Sequence, residues 1–518
     1  MVAGTGIPAR LAAGALLAAA VAGCASLPSH EGRIATEALP PSAATRLGTA
    51  LGPMVSAHPG LTGIHALPVA SDAFAARMVL AAAAERSLDI QYYIWRGDQT
   101  GLLLFEALAG AAGRGVRVRI LIDDQNTKPI EEVLAAMAAR QNLEVRIYNP
   151  FTTRSARMLD YLGDFSRLNR RMHNKAFIAD NHVALVGGRN IGNEYFGAGE
   201  EVPFKDLDVI AIGAAVGQVS AEFDNYWNSA SAYPVQRVLG APPADGAARL
   251  EATFAGVHAD PEAQAYLAAV RQTPLVLSLL DRRLELEWVE ARLVADDPAK
   301  TLDREERTDT LMLAKLLSAG ERPRQSLDII SPYFVPAEKG SAVLENLARE
   351  GVRVRVLTNS YSATDVAVVH SGYAKRRCDL ARAGVRLYEM KRTVEDGPRK
   401  AGEKKGSSNA SLHAKTFAAD EARIFVGSFN FDPRSALLNT EMGLVIASPV
   451  LAKRLAQTFG GLIPRNAYEV VARPHGDCVE WVERTASGEV RHDAEPETSW
   501  MKRAWLEFLT WLPLDWML

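Results

Sequence analysis

This chain of 518 residues repeats itself. SLDIQYYIW at 87–95 returns as SLDIISPYF at 326–334, GVRVRILID at 115–123 as GVRVRVLTN at 351–359, and VRIYN at 145–149 as VRLYE at 385–389. Further along, RMHNKAFIAD at 171–180 is answered by SLHAKTFAAD at 411–420, and LVGGRN at 185–190 by FVGSFN at 425–430. The offsets are 239, 236, 240, 240 and 240 residues, so five segments recur in one order at nearly one spacing. One such pair could arise by chance; five in register require a duplicated unit. The length suits two or three domains, and the duplication makes two of them alike.

Each copy alternates strand and helix patterns. SLDIQYYI and GVRVRILI are alternating, β-branched runs. Between them GLLLFEALAGAAGRG has helical apolar spacing and a glycine-rich exit. EEVLAAMAARQN is a second amphipathic stretch before LEVRIYN, and the second copy follows suit with GSAVLENLARE and GYAKRRCDLARA. Such alternation predicts an α/β fold with parallel pairing. GAPPADGAA supplies loop chemistry for a join. The expected domains are 60–235 and 263–480, with a linker at 25–59, an interdomain linker at 236–262 and a tail at 481–518.

Apolar residues make up 48% and charged residues 23%, ordinary for a globular protein. A net charge of −3 argues against a dedicated nucleic-acid binder, which carries a basic excess. No run in the body of the chain is long and apolar enough to span a bilayer. At the N-terminus, Arg10 precedes an apolar stretch from Leu11 to Gly23 that is too short to span and has the shape of a secretory signal. Its end, Val21-Ala22-Gly23-Cys24, resembles the lipobox of bacterial lipoproteins, which implies cleavage before Cys24 and lipidation of that cysteine. Residues 1–24 are then a lipoprotein-type signal segment; the alternative is a plain signal cut elsewhere. Several acyl chains on one residue anchor a protein firmly. Cys378 and Cys478 have no metal-ligand spacing. Two ordinary, mostly buried thiols are expected, with pairing in an oxidising compartment as the alternative.

The chemistry concentrates in two runs. In extended backbone, residues two apart share a face, so His173 projects with Lys175 and His413 with Lys415. Asp180 and Asp420 fall at turns beyond that face. A returning strand then carries Asn190 and Asn430, each seventeen residues after its histidine (190 − 173 and 430 − 413), next to small residues that allow close approach of a ligand. Two His, two Lys and two Asn suit a phosphodiester. Lys and Asn donate to non-bridging oxygens, while one imidazole attacks and the other protonates the leaving oxygen. No carboxylate or cysteine cluster with metal-ligand spacing accompanies the motifs, so no metal and no cofactor is expected.

H-x-K-x-x-x-x-D twice, each followed by G-G/S-x-N, resembles the phospholipase D superfamily. That resemblance implies two α/β/α sandwich domains related by a pseudo-two-fold, with the active site at their interface. It also implies double displacement through a covalent phosphohistidine. His173 is the expected nucleophile and His413 the general acid and later base, with Lys175, Lys415, Asn190 and Asn430 on the phosphate. A carboxylate downstream in each half orients the histidine in this family. Glu441 matches that place, and Asp206, with Asp208 as a rival, is the first-half counterpart. Asp180 and Asp420 complete the motif, with a structural part the more natural for both. Arg189, Arg434 and Ser428 are candidates for support, and His370 is either structural or substrate-facing.

Three features direct the superfamily's chemistry toward membrane lipid: the lipobox, the tail SWMKRAWLEFLTWLPLDWML, and basic residues beside the motifs in RLNRRMHNK (167–175) and KRTVEDGPRKAGEKK (391–405). As a helix the tail gathers Met501, Trp505, Phe508, Leu509 and Leu512 on one face opposite Lys502, Arg503 and Glu507. It either lies in the membrane interface or packs on the domain. The basic runs could hold anionic head groups. The runs LDIQYYIW, DFSRLNRRMHNK, LVGGRNIGNEYFGAGEE, LTNSYSATDVAVVHSGYA and GSFNFDPRSALLNTEMG are similar to the bacterial cardiolipin synthase C type. This implies phosphatidyl transfer to phosphatidylglycerol, from a second phosphatidylglycerol or from phosphatidylethanolamine; the lipobox separately gives the expected location, the cell envelope, on a membrane surface facing the periplasm. A phospholipase D releasing phosphatidic acid, and a secreted nuclease, are the alternatives.

Overall fold

The computed structural model describes residues 27–30, 33–199, 203–281, 283–302, 311–319, 322–364, 366–392, 412–473 and 478–512. The signal segment with Cys24 and nearly all of the basic run 391–405 lie outside the described residues. Among the described residues no helix is long and apolar enough to cross a membrane.

The first sheet holds β1 (Thr62–Leu67), β2 (Ser87–Tyr92), β3 (Arg117–Asp123), β4 (Leu143–Tyr148), β5 (Ala176–Ala179), β6 (Val183–Gly187), β7 (Asp208–Gly213), β8 (Ala232–Pro234) and β9 (Glu287–Val289). Their order is β8-β4-β3-β2-β5-β6-β7-β1-β9. The second sheet holds β10 (Ala291–Ala295), β11 (Ser326–Ile330), β12 (Arg353–Asn359), β13 (Arg386–Met390), β14 (Lys415–Ala419), β15 (Arg423–Gly427), β16 (Met442–Ile446), β17 (Ala467–Ala472), β18 (Val479–Thr485) and β19 (Gly488–His492). Its order is β10-β16-β15-β14-β11-β12-β13-β17-β18-β19. The shared unit is β4-β3-β2-β5-β6-β7 in one copy and β13-β12-β11-β14-β15-β16 in the other.

Among the strands of the described residues, parallel pairing joins β2-β3-β4 and β11-β12-β13, where helices such as Gln99–Gly113 and Ala337–Arg349 provide the crossover that parallel strands need. The remaining pairs are antiparallel. The repeated SLDI and GVRVR runs match because each buries an ion pair across its parallel strands: Arg119 with Asp89 and Arg355 with Asp328, both at 2.6 Å. The β5–β6 and β14–β15 hairpins turn through two residues of positive φ, Asp180 (49°) with Asn181 (55°), and Asp420 (55°) with Glu421 (52°). Aspartate tolerates that backbone.

Buried residues of both halves form one continuous cluster, with Met172, Val186 and Phe223 beside Leu357, Leu412 and Leu444. The stretch read as an interdomain linker, 236–262, is instead largely helical: Gly246–Ala259 follows GAPPADGAA, and Pro261–Val270 comes next. Leu250, Phe254 and Val270 sit in the first half's core. Loop composition marked one turn, and the apolar spacing after it decided the rest. The chain passes between the sheets at Glu290, between β9 and β10.

Cys378, on the helix Ala367–Arg382, and Cys478, just before β18, are bonded to one another with Cα atoms 5.8 Å apart. This corrects the expectation of two separate thiols. The helix packs against β17 and β18 and so brings together cysteines 100 residues apart. A crosslink closing a loop of that length stabilises by about 4 to 5 kcal/mol in the chain-entropy account. Replacing both cysteines by serine is expected to lower unfolding free energy by about that amount. Urea denaturation in oxidising buffer checks it, and reductant should destabilise the parent chain alone.

The tail helix Trp500–Trp511 docks on the helix Ala367–Arg382 through buried Leu506 and Leu509. Trp500, Met501, Trp505, Phe508 and Trp511 stay exposed. The single apolar face read from the sequence is therefore split: Leu509 goes inward, away from Met501, Trp505 and Phe508.

Candidate active site

Both H-x-K segments lie as extended lead-ins to β5 and β14, and each leaves its own sheet to pair with the other half. Met172 bridges to Thr440 and Leu412 to Lys205. The His173 amide donates to the Thr440 carbonyl (2.9 Å), and the amides of His413 and Ala414 donate to the Lys205 carbonyl (2.9 Å each). Thr440 and Lys205 each precede a carboxylate, so the carboxylates cross over. His173 Nδ1 lies 2.9 and 3.0 Å from the two Glu441 oxygens, and His413 Nδ1 lies 2.6 Å from Asp206 Oδ2. Each imidazole takes its carboxylate from the opposite copy through Nδ1. Asp208 has another place: fully buried, it binds Arg77 (2.8 Å) and the Arg189 amide (3.2 Å).

The supporting residues explain a difference between the repeats. Ser428 donates its hydroxyl to Glu441, and the Glu441 amide donates to Asp296 (2.9 Å), which also holds Lys300 (2.9 Å). The first copy has Gly188 where the second has Ser428. A Cβ there would stand 2.2 Å from Asp206 Oδ1, so the shorter carboxylate requires glycine. Arg189 donates to the Asp206 carbonyl (2.7 Å), and Arg434 holds Asn169 (2.8 and 2.9 Å) ahead of the His173 segment.

Lys175 and Lys415 donate to the carbonyls of His173 and His413. Asn190 accepts from the Ile94 amide and donates to the Tyr195 hydroxyl, both at 3.1 Å. Asn430 is buried. Aromatic walls complete the site and escaped the sequence reading. Tyr93 packs edge-on against His173 (5.0 Å between centroids), while Tyr195 (5.2 Å) and Phe204 (5.5 Å, stacked) flank His413. The doubled tyrosine in SLDIQYYIW was the one available signal.

Burial dominates the electrostatics. It pulls His173 well below its ordinary value, with Lys175 and Lys415 adding to the effect. It pulls His413 down to about 4 with Lys415, against the opposing influence of Asp206. Lys175 is pulled down to about 7 by burial. The two carboxylates diverge. Burial pushes Glu441 up to about 7, whereas the charge and hydrogen bond of His413, with Lys415, outweigh burial and hold Asp206 well below the usual carboxylate range. An anionic phosphodiester between the lysines would offset the charges that depress both imidazoles.

Asp180 and Asp420 stand at the far ends of β5 and β14. Asp180 accepts from the amides of Glu85, Arg86 and Ser87, and Asp420 from those of Arg324, Gln325 and Ser326. They staple turn to strand rather than joining the histidines. The arginines of 167–175 are likewise engaged by the fold, Arg167 with Asn149 and Pro150, Arg170 with the Lys300 and Leu437 carbonyls, and Arg171 with Asp123. His370 is structural: it, Glu389 and Glu495 bring three ligand atoms within 4.8 Å, but Arg377 bonds both carboxylates (3.1 and 2.6 Å) and supplies the positive charge there.

A family described as cardiolipin synthase, PLD-like domain, matches residues 79–227 and 313–463. The chain is 47% identical to cardiolipin synthase C of Escherichia coli strain K12, over 91% of this chain and all of that one. It is 25% identical to the major cardiolipin synthase ClsA of Bacillus subtilis strain 168, over 73% of this chain and 64% of that one. Among solved structures, phosphatidylserine synthase of Haemophilus influenzae shares the fold, with a TM-score of 0.51 at 14% identity, covering 82% of this chain and 92% of that one.

Proposed function

Since the chain belongs to the cardiolipin synthase family with PLD-like domains, we propose that it makes cardiolipin by transferring a phosphatidyl group to phosphatidylglycerol. His173 Nε2 attacks the donor phosphorus as the bond to the head-group oxygen breaks, and His413 gives that oxygen its proton. The phosphohistidine is then attacked by the primary hydroxyl of phosphatidylglycerol. His413 takes the hydroxyl proton, the P–N bond breaks, and His173 is restored. Lys175, Lys415, Asn190 and Asn430 hold the non-bridging oxygens.

The observation that carries this reading is the crossed pair of imidazole–carboxylate bonds, found in a chain similar over its length to cardiolipin synthase C. The unequal carboxylates support the division of labour. Asp206, held anionic, raises the proton affinity of His413, the acid, against the burial and Lys415 that pull it down to about 4, whereas Glu441 raised to about 7 suits a neutral His173, the nucleophile. The lipobox and the Cys378–Cys478 bond, which persists in oxidising compartments, support an envelope enzyme anchored through Cys24 and facing the periplasm.

The test is a lipid profile. Expressed in a bacterial host lacking cardiolipin synthases, the chain is expected to restore cardiolipin. Phosphatidic acid without cardiolipin would make it a hydrolase.

A further inference from the structure

The helix Arg157–Leu168, between β4 and β5, turns its apolar side outward. Met158, Leu159 and Leu162 lie on one face and are 76%, 51% and 86% exposed; Phe165, past a kink at the non-helical Asp164 (φ −140°, ψ 44°), is 43% exposed. Polar contacts dock the other side. The buried Asp160 carboxylate accepts from the amides of Thr152 (2.6 Å) and Thr153 (2.8 Å). Arg157 donates to the Asp124 carbonyl (2.8 Å) and to Glu131 (2.5 Å). A surface helix in a globular protein buries its apolar stripe. A helix held by its polar side, with four large apolar groups outside, is arranged to lie in a membrane interface.

Its position adds a reason. Leu168 ends the helix five residues before His173 (173 − 168). On its inner side, Tyr161 bonds Gln125 (3.0 Å) and meets Phe151 (5.7 Å). The segment therefore leads directly into the extended lead-in that carries His173, with its apolar residues outside.

We propose that this helix is the element that seats the enzyme on the bilayer and admits phospholipid: Met158, Leu159, Leu162 and Phe165 enter the outer hydrocarbon, and the phosphate reaches His173 along the helix. The proposal rests on the lipid-transfer reading. A diacyl substrate keeps its chains in the membrane, so the reacting phosphorus stays at the boundary and the protein must come down to it. A second copy of the chain on this face would obstruct the approach, whereas a bilayer supplies substrate through it.

The test places a polarity-sensitive fluorophore on Leu162→Cys in the full chain with Cys24→Ser, Cys378 and Cys478 being bonded to each other. Vesicles of phosphatidylglycerol and phosphatidylethanolamine are expected to shift its emission to the blue. Lipids spin-labelled in the acyl chain are expected to quench it. In parallel, Met158→Asp with Leu162→Asp is expected to raise KM for vesicle substrate at least tenfold and to leave turnover of monomeric short-chain phosphatidylglycerol unchanged. A label that stays water-exposed and unquenched overturns the proposal, as does one shielded by another copy in a lipid-free crosslinked dimer. Quenching requires no turnover, so it judges the helix even if the parent chain transfers no lipid, an outcome that would instead defeat the lipid-transfer reading.

Discussion

His413→Ala is expected to lose cardiolipin synthesis from natural donors, by roughly 10²- to 10⁴-fold, and to recover its first step on a donor whose leaving group needs no proton, such as a nitrophenyl ester. His173→Ala should lose roughly 10⁴-fold or more with either donor, because the atom that attacks phosphorus is gone. The distinction follows from the two carboxylates. In the proposed roles, Asp206, held anionic, supports protonation of His413 against the burial and Lys415 that pull it down to about 4, and Glu441, raised to about 7, backs the imidazole that attacks unprotonated. With the activated donor, the His413 variant should accumulate a phosphorylated His173, because the base for the second step is missing. Mass spectrometry of acid-labile adducts locates it. Rescue of the His173 variant instead would exchange the two roles.

The second large effect concerns a residue that touches no substrate. Asp206→Asn keeps the size of the side chain and removes its charge; with the Leu207 amide holding the remaining oxygen (2.8 Å), an NH2 donor faces His413 Nδ1 where a carboxylate oxygen accepted (2.6 Å), which disfavours the working tautomer. The expected loss in kcat is roughly 10³- to 10⁴-fold with a natural donor, comparable to removing the buried aspartate's charge from a catalytic triad, and much smaller with the activated donor. Glu441→Gln should slow both donors alike, since attack by His173 precedes both fates. Melting temperatures near the parent's would exclude misfolding. Equal losses of the two variants on both donors would sink the assignment.

The duplication was legible because its parts are local. SLDI and GVRVR recur since each copy buries an Asp–Arg pair across adjacent strands, and the aspartate that closes each motif recurs since its turn needs positive φ and three amides need an acceptor. His173, Lys175, His413 and Lys415 could be found from spacing alone. What pairs with them could not. Glu441 and Asp206, named from the family resemblance, lie 21 and 26 residues past the aspartate that closes their own copy's motif (441 − 420 and 206 − 180), and nothing in that spacing says that a lead-in strand crosses to the other half. The meeting of Cys378 with Cys478 and the helices of 236–262 depend on packing between distant segments in the same way. The tail and the helix Arg157–Leu168 carry amphipathic patterns, but a pattern gives a stripe without saying whether it faces the core or the outside.

The crossed bonds also set a time at which the enzyme becomes live. His173 waits for a partner 268 residues downstream, and His413 reaches back 207 residues. A chain emerging from its N-terminus holds His173, Lys175 and Asp206 long before it holds His413 or Glu441. In the proposed mechanism a half-made or half-folded molecule is expected to be inert toward lipid. The first half serves as a blank cartridge until the second closes on it, and activity itself reports that folding has finished.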